Sequence, residues 1–129
     1  MKIIDGENAI LGRVASFAAK SALKGEEVTI VNCNKILVTG SKKNIKENWR
    51  KKREMIGSTQ KGPKHSRLCE KLVKRSIRGM LSTHRKGKGK NALQRIKCYS
   101  KVPESLKNAK KIEMPCSKNK FMQVGEISK

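Results

Sequence analysis

The chain has 129 residues, a net charge of +22, 36% apolar residues and only 3% aromatic residues. This length suits one domain with an aliphatic core. No apolar run approaches the ~20 residues that span a bilayer, and the apolar run near Met1 is too short for a signal peptide. Because so much like charge opposes a compact state unless a polyanion neutralises it, nucleic acid is the expected partner.

The charge divides the chain into three parts. Residues 1–40 carry five basic and four acidic groups, a net of +1. Residues 41–101 carry 21 basic and three acidic groups, a net of +18, and residues 102–129 carry six and three, a net of +3. Solvated faces normally mix both signs, so an excess of this size indicates a binding role. We therefore interpret the chain as one domain with a neutral scaffold, a basic contact region and a C-terminal tail.

The neutral part shows an alternation of strand and helix. Lys2–Ile4 is a strand candidate, EEVTIVNC reads as a buried strand, and KILVTG is a candidate for another strand. Between the first two lies ILGRVASFAAKSALKG, which ends at Gly25 and predicts a helix. One face of this helix would hold Leu11, Val14, Ala15, Ala18 and Ala22. A strand, a helix and a strand in this order predict a parallel βαβ unit.

The basic region begins with a helix and a loop. SKKNIKENWRKKREM has Ser41 at a plausible N-cap, followed by good helix formers. Only Ile45, Trp49, Met55 and Ile56 in this part could face a core. The segment IGSTQKGPKHS, residues 56–66, contains two glycines and a proline and is predicted to be a loop.

A second basic helix and a glycine-rich arm follow. RLCEKLVKRSIRGML predicts an amphipathic helix with a basic face. Its apolar face would hold Cys69, Leu72, Val73, Ser76 and Met80. Gly87 and Gly89 alternate with lysines, which predicts a flexible cationic arm that orders on phosphate. NALQRIKCY, which comes next, predicts a short helix running into a strand.

The sequence offers little for catalysis or metal binding. VTGSKKN lacks the glycine that a phosphate-binding loop requires five residues before Gly40. The two histidines have basic neighbours, and no paired carboxylates, nucleophile elbow or H-E-x-x-H pattern occurs. The four cysteines are scattered with no C-x-x-C pair, so reduced thiols are expected rather than a zinc site. We expect no enzyme, cofactor or metal.

The kind of nucleic acid is only partly constrained. Binding to single strands uses exposed aromatic platforms, but Phe17 lies on the scaffold helix and Tyr99 on a predicted strand. Recognition of the backbone and shape of a folded or double-helical partner is therefore favoured. Composition does not separate RNA from DNA, so a DNA-compacting architectural protein is the alternative function. A small enzyme acting on an anionic substrate is a weaker rival.

Five segments occur in an order that resembles one family. They are DGENAILGRVAS, VNCNKILVTG, KGPKHSR, RSIRGML and GKNALQRIKCY. Together they are similar to the universal large-subunit ribosomal protein L-thirteen family, in its archaeal and eukaryotic branch, over about residues 5–100. Ser82 stands where the family usually has proline, and Lys101 where it commonly has glycine.

The resemblance implies a fold, a function and a location. The expected fold is a three-layer α/β/α arrangement around a small, largely parallel sheet, with a basic helix and arm. The expected function is that of a structural constituent of the large ribosomal subunit, which binds large-subunit rRNA and helps it fold during assembly. The expected location is cytoplasmic, beside neighbouring ribosomal proteins and without a small-molecule substrate.

The resemblance also implies RNA-facing residues, which we extend by charge. By motif position they are Arg13, Lys61, Lys64, His65, Arg67, Arg75, Arg78, Arg85, Lys86, Lys88, Lys90, Arg95 and Lys97. By charge alone we add Lys42, Lys43, Arg50, Lys51, Lys52 and Arg53.

Overall fold

The structure is a computed structural model that describes residues 1–55, 57, 62–116 and 120–129. Its main sheet is parallel throughout, with the strand order β4-β2-β1-β5, and a second sheet pairs β3 and β6 antiparallel. The strands are β1 (Lys2–Asp5), β2 (Val28–Val31), β3 (Leu37–Thr39), β4 (Ile96–Cys98), β5 (Ile112–Glu113) and β6 (Phe121–Gln123). The helices are α1 (Leu11–Leu23), α2 (Lys42–Glu54), α3 (Cys69–Met80), α4 (Gly87–Gln94) and α5 (Val124–Ser128).

The β1-α1-β2 unit is the predicted parallel βαβ unit. β2 lies between β1 and β4, and all four of its residues are buried, as its continuous β-branched run requires. Four of the five residues predicted for the inner face of α1 are fully buried, whereas Leu11 is half-buried. Because most of that face is alanine, α3 can pack closely against α1. The mostly parallel sheet with its helices confirms the predicted α/β class.

The third predicted strand forms, but it lies outside the main sheet. β3 pairs antiparallel with β6, so that Val38 is opposite Met122. No structure was predicted for the C-terminal residues, yet they contribute one strand to each sheet. β5 adds to the edge of β1, and α5 buries Val124 and Ile127.

Helix α2 is anchored to the core more weakly than expected. Ile45 is buried and Trp49 is half-buried, as predicted. Met55 is 63% exposed, contrary to prediction, because α2 ends at Glu54 and the chain becomes extended at Met55. Ser41 occupies the N-cap but makes no side-chain capping hydrogen bond. Ile56 lies outside the described residues.

The buried face of α3 differs from prediction at its C-terminal end. Cys69, Leu72 and Val73 are buried as expected, but the next buried residue is Ile77. Met80 is 45% exposed. Its sulfur accepts a hydrogen bond at 3.6 Å from the hydroxyl of the exposed Ser16, so the last turn of α3 passes the edge of α1. Ser76 is half-buried and bonds its own helix.

The glycine-rich segment is more ordered than predicted, because Gly87–Gln94 form α4. Gly87 enters this helix with a φ of +61°, a conformation that glycine adopts without strain. Gly89 is buried, and a Cβ atom there would collide with the backbone of Ser82 and Thr83. The glycines therefore permit close packing and a turn, rather than a mobile arm.

Candidate nucleic-acid interface

The structure places most of the predicted contact residues on the surface. The exposed ones are Arg13, Lys42, Lys43, Arg50, Lys51, Lys52, Lys64, Arg67, Arg85, Lys86, Lys88, Lys90 and Lys97. The half-buried ones are Arg53, His65, Arg75, Arg78 and Arg95. The predicted contact at Lys61 falls outside the described residues. Exposure alone does not separate a binding site from a solvated surface, so the grouping of these side chains matters more.

A cleft between α3 and the end of β4 gathers five cations. We call it the basic cleft, and it has a volume of about 490 Å³. Its lining residues are Glu70, Lys71, Lys74, Arg75, Arg78, Leu93, Lys97, Cys98 and Tyr99. The cleft lies at the carboxyl end of β4, and the carboxyl ends of parallel strands are where open α/β sheets commonly bind ligands.

Helical spacing explains the cationic wall of the basic cleft. Lys74 and Arg75 lie three and four residues after Lys71 on α3, and Arg78 lies three residues after Arg75, so the four share one side of the helix. The opposite side of α3 is buried against α1 and β4. The charged side must therefore face outward, above the edge of the sheet.

Hydrogen bonds fix several of these side chains in place. Lys74 donates from Nζ to the Ile96 carbonyl oxygen at 2.9 Å, which ties α3 to β4. Glu70 accepts two hydrogen bonds at its Oε1, from the amide and the hydroxyl of Ser100, each at 3.0 Å. The single carboxylate of the cleft is thus held against the chain that follows β4.

Arg75 is held by His65 from the neighbouring loop. The Arg75 Nη2 atom lies 3.2 Å from His65 Nε2. A guanidinium can only donate, so Nε2 accepts and the neutral ring carries its proton on Nδ1. Partial burial and the positive charge of Arg75 lower the pKa of His65, which keeps the ring neutral near pH 7. Among the residues that the structure describes, the buried Nδ1 atom has no partner.

The cations of the basic cleft are not held in salt bridges, although the Glu70 carboxylate lies in the same cleft. None of the five is in a salt bridge in the described part of the chain. On α2, by contrast, Lys51 pairs with Glu47 at 3.0 Å and Arg50 with Glu54 at 3.6 Å. The cleft therefore gathers cations that make no salt bridge, whereas α2 carries two paired cations beside others, such as Lys42, Lys43 and Lys46, that make no salt bridge in the described part of the chain.

Two further residues predicted on α2 already have contacts within the protein. Arg53 donates from Nη2 to the Ile127 carbonyl oxygen at 2.7 Å, which holds α5. Lys52 places its ammonium 5.1 Å from the centre of the Trp49 ring. These contacts give α2 cations a role in the fold that charge alone did not indicate.

Six of the nine cleft residues were absent from the predicted contact set, among them Lys71, Lys74 and Tyr99. Lys71 and Lys74 were recognisable on the basic face of α3 from their spacing. Tyr99 was placed on a strand, but β4 ends at Cys98 and the Tyr99 side chain is 37% exposed. Its exposure depends on where β4 ends, and no local sequence signal marked that boundary.

The four cysteines are free thiols. Cys33 is buried, and its hydrogen bond with Cys98 together with burial raises the pKa of the Cys33 thiol, so that it stays protonated. In the described part of the chain, no three His, Cys, Asp or Glu side chains are grouped so as to hold a metal ion. No helix within the same residues has the length and apolar character to cross a membrane.

These features define an α/β protein whose surface is built to bind a polyanion. Residues 1–105 match the family model described as Ribosomal protein L13, and the chain belongs to that family. This confirms the resemblance found in the sequence, and membership of a ribosomal protein family agrees with the expectation of a non-enzymatic role.

Relatives in archaea are similar over the full chain. "Large ribosomal subunit protein uL13" of Picrophilus torridus is 41% identical over 133 residues, covering 100% of this chain and 95% of the relative. The protein of the same name in Methanocaldococcus jannaschii is 38% identical, covering 100% and 96%. That of Thermoplasma volcanium is 42% identical, covering 85% and 79%.

Proposed function

We propose that this protein is a structural constituent of the large ribosomal subunit that binds large-subunit rRNA and helps it fold during assembly. The observation that carries the proposal is the basic cleft, in which five cations surround a single carboxylate, that of Glu70, and none of the five makes a salt bridge among the described residues. The names of the relatives support the assignment to the large subunit.

The energetic argument is electrostatic. Lysine and arginine that neutralise phosphates release condensed counterions, which favours binding at low salt. The same contacts screen the repulsion among the cations of α3, so binding also stabilises the folded chain. Folded rRNA supplies phosphates at high density, and this is the partner that a chain of net charge +22 requires.

The exposed cations around the cleft extend the proposed contact surface. Arg85, Lys86, Lys88 and Lys90 are exposed at the start of α4, whose last turn carries Leu93 into the cleft wall. Arg13 is exposed on α1, one turn before Ser16, which contacts the end of α3. The neutral scaffold thus presents α3 and α4 to the RNA, while neighbouring ribosomal proteins contact other surfaces.

A salt titration tests the proposal. Affinity for a folded fragment of large-subunit rRNA should fall with salt, with a slope of about −0.9 for each duplex phosphate neutralised. The double charge reversal Lys71→Glu and Lys97→Glu should make this slope shallower by about two. A flat salt response of the wild-type protein would refute the proposal.

The matched control reverses the same charge elsewhere. Lys20→Glu with Lys24→Glu alters two exposed lysines of the neutral scaffold and should leave the slope close to that of the wild type. Competition with duplex DNA completes the experiment. Equal affinity for duplex DNA and folded rRNA would favour the DNA-compacting alternative.

A further inference from the structure

We infer that the basic cleft receives a single unpaired nucleotide projecting from the folded RNA. Its base would lie against Tyr99 and Leu93, and its flanking phosphates would lie on the cations of α3. The inference rests on the proposed function, since it names the part of the RNA that enters the cleft.

The shape of the cleft favours a small occupant. Its volume of about 490 Å³ falls in the range of about 300–1,000 Å³ that is typical of small-molecule and cofactor sites. The cleft is open to solvent on its outer side, so a group that projects from the surface of an RNA can reach its walls. A nucleotide that leaves its helix is small enough to enter.

The two walls of the cleft differ in chemistry. The α3 wall carries Lys71, Lys74, Arg75 and Arg78, whereas the opposite wall presents Leu93, Cys98 and Tyr99 with only one cation, Lys97. A nucleotide has the same asymmetry, with an anionic phosphate on one side and a flat apolar base on the other. Bases splayed out of folded RNA stack on aromatic side chains in many RNA-binding proteins.

The main chain holds Tyr99 firmly in this wall. Its amide donates to the Ile30 carbonyl oxygen at 2.9 Å, and its carbonyl oxygen accepts from the Cys33 amide at 3.1 Å. Both partners belong to β2 or to the turn directly after it. The main chain at Tyr99 is therefore fixed to the central strand β2 and the turn after it, so the backbone would lose little conformational freedom when a base stacks on the ring.

Glu70 indicates how the nucleotide would be oriented. Its carboxylate lines the cleft and is fixed by Ser100, just beyond Tyr99. A phosphate beside that carboxylate would be repelled, so the phosphates must lie on the outer cations, Lys71 and Arg78. The inner part of the cleft is then left for the base.

Three RNA hairpins of the same stem test the inference with the full chain. One is fully paired, one has a single bulged nucleotide, and one has an abasic residue at the bulge. The two bulged RNAs carry the same number of phosphates, so only the base differs between them. The protein should bind the bulged RNA about tenfold more tightly than the abasic one, as expected for one stacked base. Equal affinity for these two RNAs would overturn the inference but leave RNA binding intact.

Variants at Tyr99 assign the effect to the ring. Tyr99→Phe should keep the preference for the bulged base over the abasic residue, and Tyr99→Ala should remove that preference, so that the two bulged hairpins are bound alike. If the wild-type protein bound none of the three hairpins, the proposed function would be refuted instead. A preference that survives in Tyr99→Ala would place the base elsewhere and contradict the inference.

Thiol alkylation gives a readout that needs no variant. Cys98 is half-buried in the cleft, and its hydrogen bond with Cys33 lowers the pKa of the Cys98 thiol, which favours reaction with iodoacetamide. Cys116 is also half-buried but follows β5, at the opposite edge of the main sheet, and serves as the internal control.

The bulged RNA should slow alkylation of Cys98 at least severalfold more than the abasic RNA and leave the rate at Cys116 unchanged. Equal protection of Cys98 by both RNAs would contradict the inference. Protection by an oligoglutamate peptide, but not by the bulged RNA, would show that the cleft binds acidic protein segments and would also contradict it.

Discussion

Helices α2 and α3 are both rich in lysine and arginine, but they differ in how they are anchored to the scaffold and in how their cations are paired. α2 buries Ile45 alone and pairs two of its cations with its own glutamates. α3 buries four residues against the scaffold and directs unpaired cations over the end of β4. From this difference we expect net charge to identify the class of partner, and anchored cations that make no salt bridge among the described residues to mark the binding surface.

The strongest test of this comparison removes two charges from each helix. Lys71→Gln with Arg78→Gln should weaken rRNA binding about a hundredfold, since each charge-assisted hydrogen bond contributes about 1.5–3 kcal/mol. Arg50→Gln with Lys51→Gln should weaken it only a few-fold, because those cations already have acidic partners. Filter binding at one fixed salt concentration measures both. Equal losses would show that α2 and α3 contribute alike and would break the comparison.

A second test concerns the wall of the cleft opposite α3. Gly89→Ala should destabilise the protein by about 1–3 kcal/mol, because the new methyl group collides with the Ser82 carbonyl oxygen. Gly79→Ala is the matched control on α3, where a Cβ atom meets nothing within 4 Å. It should raise stability by about 0.5–1 kcal/mol, as alanine favours a helix over glycine. Urea denaturation followed by circular dichroism measures both changes.

If Gly89→Ala were more stable than Gly79→Ala, α4 would not pack against the turn that precedes it. In that case the wall containing Leu93 would not be rigid, and the contrast between a fixed cleft and a more loosely anchored α2 would lose half of its support.

The smallest effect concerns pH and the histidine that holds Arg75. The pKa of His65 is lowered in the folded state, so the unfolded chain binds a proton more readily. The contribution of His65 to stability is therefore present above the unfolded value of about 6.5 and is lost as the pH falls through the folded value. His65→Gln should remove this part of the decline in the free energy of unfolding between pH 7.5 and 5.5. An identical decline in both proteins would show that His65 does not titrate as inferred.

Much of the scaffold followed from local patterns in the sequence. The β-branched run of β2 and the alanine face of α1 both specify burial, and these elements formed where they were predicted. The helical spacing of α3 was also recognisable. The burial predicted for Met80 in its last turn was wrong, because Met80 lies at the edge of α1 and is exposed.

Features that depend on distant contacts were not predictable in the same way. β5 and β6 are two and three residues long, and each pairs with a strand about 80 or more residues away, so neither has a periodicity to detect. The order of the glycine-rich segment depends on the fit of Gly89 against Ser82, which composition does not reveal.

The candidate site shows the same limit. Charge singled out the region that contains the cleft but ranked Arg53 with Arg75, although Arg53 holds α5 and Arg75 lines the cleft. Tyr99 was missed because its exposure depends on β4 ending one residue earlier than its β-propensity suggests. The cleft itself exists only because α3 crosses above β4, and no local pattern encodes that crossing.

A reconstruction of the large ribosomal subunit containing this chain, by electron cryomicroscopy, is the most direct test of the central claim. The account predicts RNA in the basic cleft, with phosphate oxygens within hydrogen-bond distance of Lys71 and Arg78. A cleft that faces solvent or another polypeptide, with no nucleotide near α3, would contradict it.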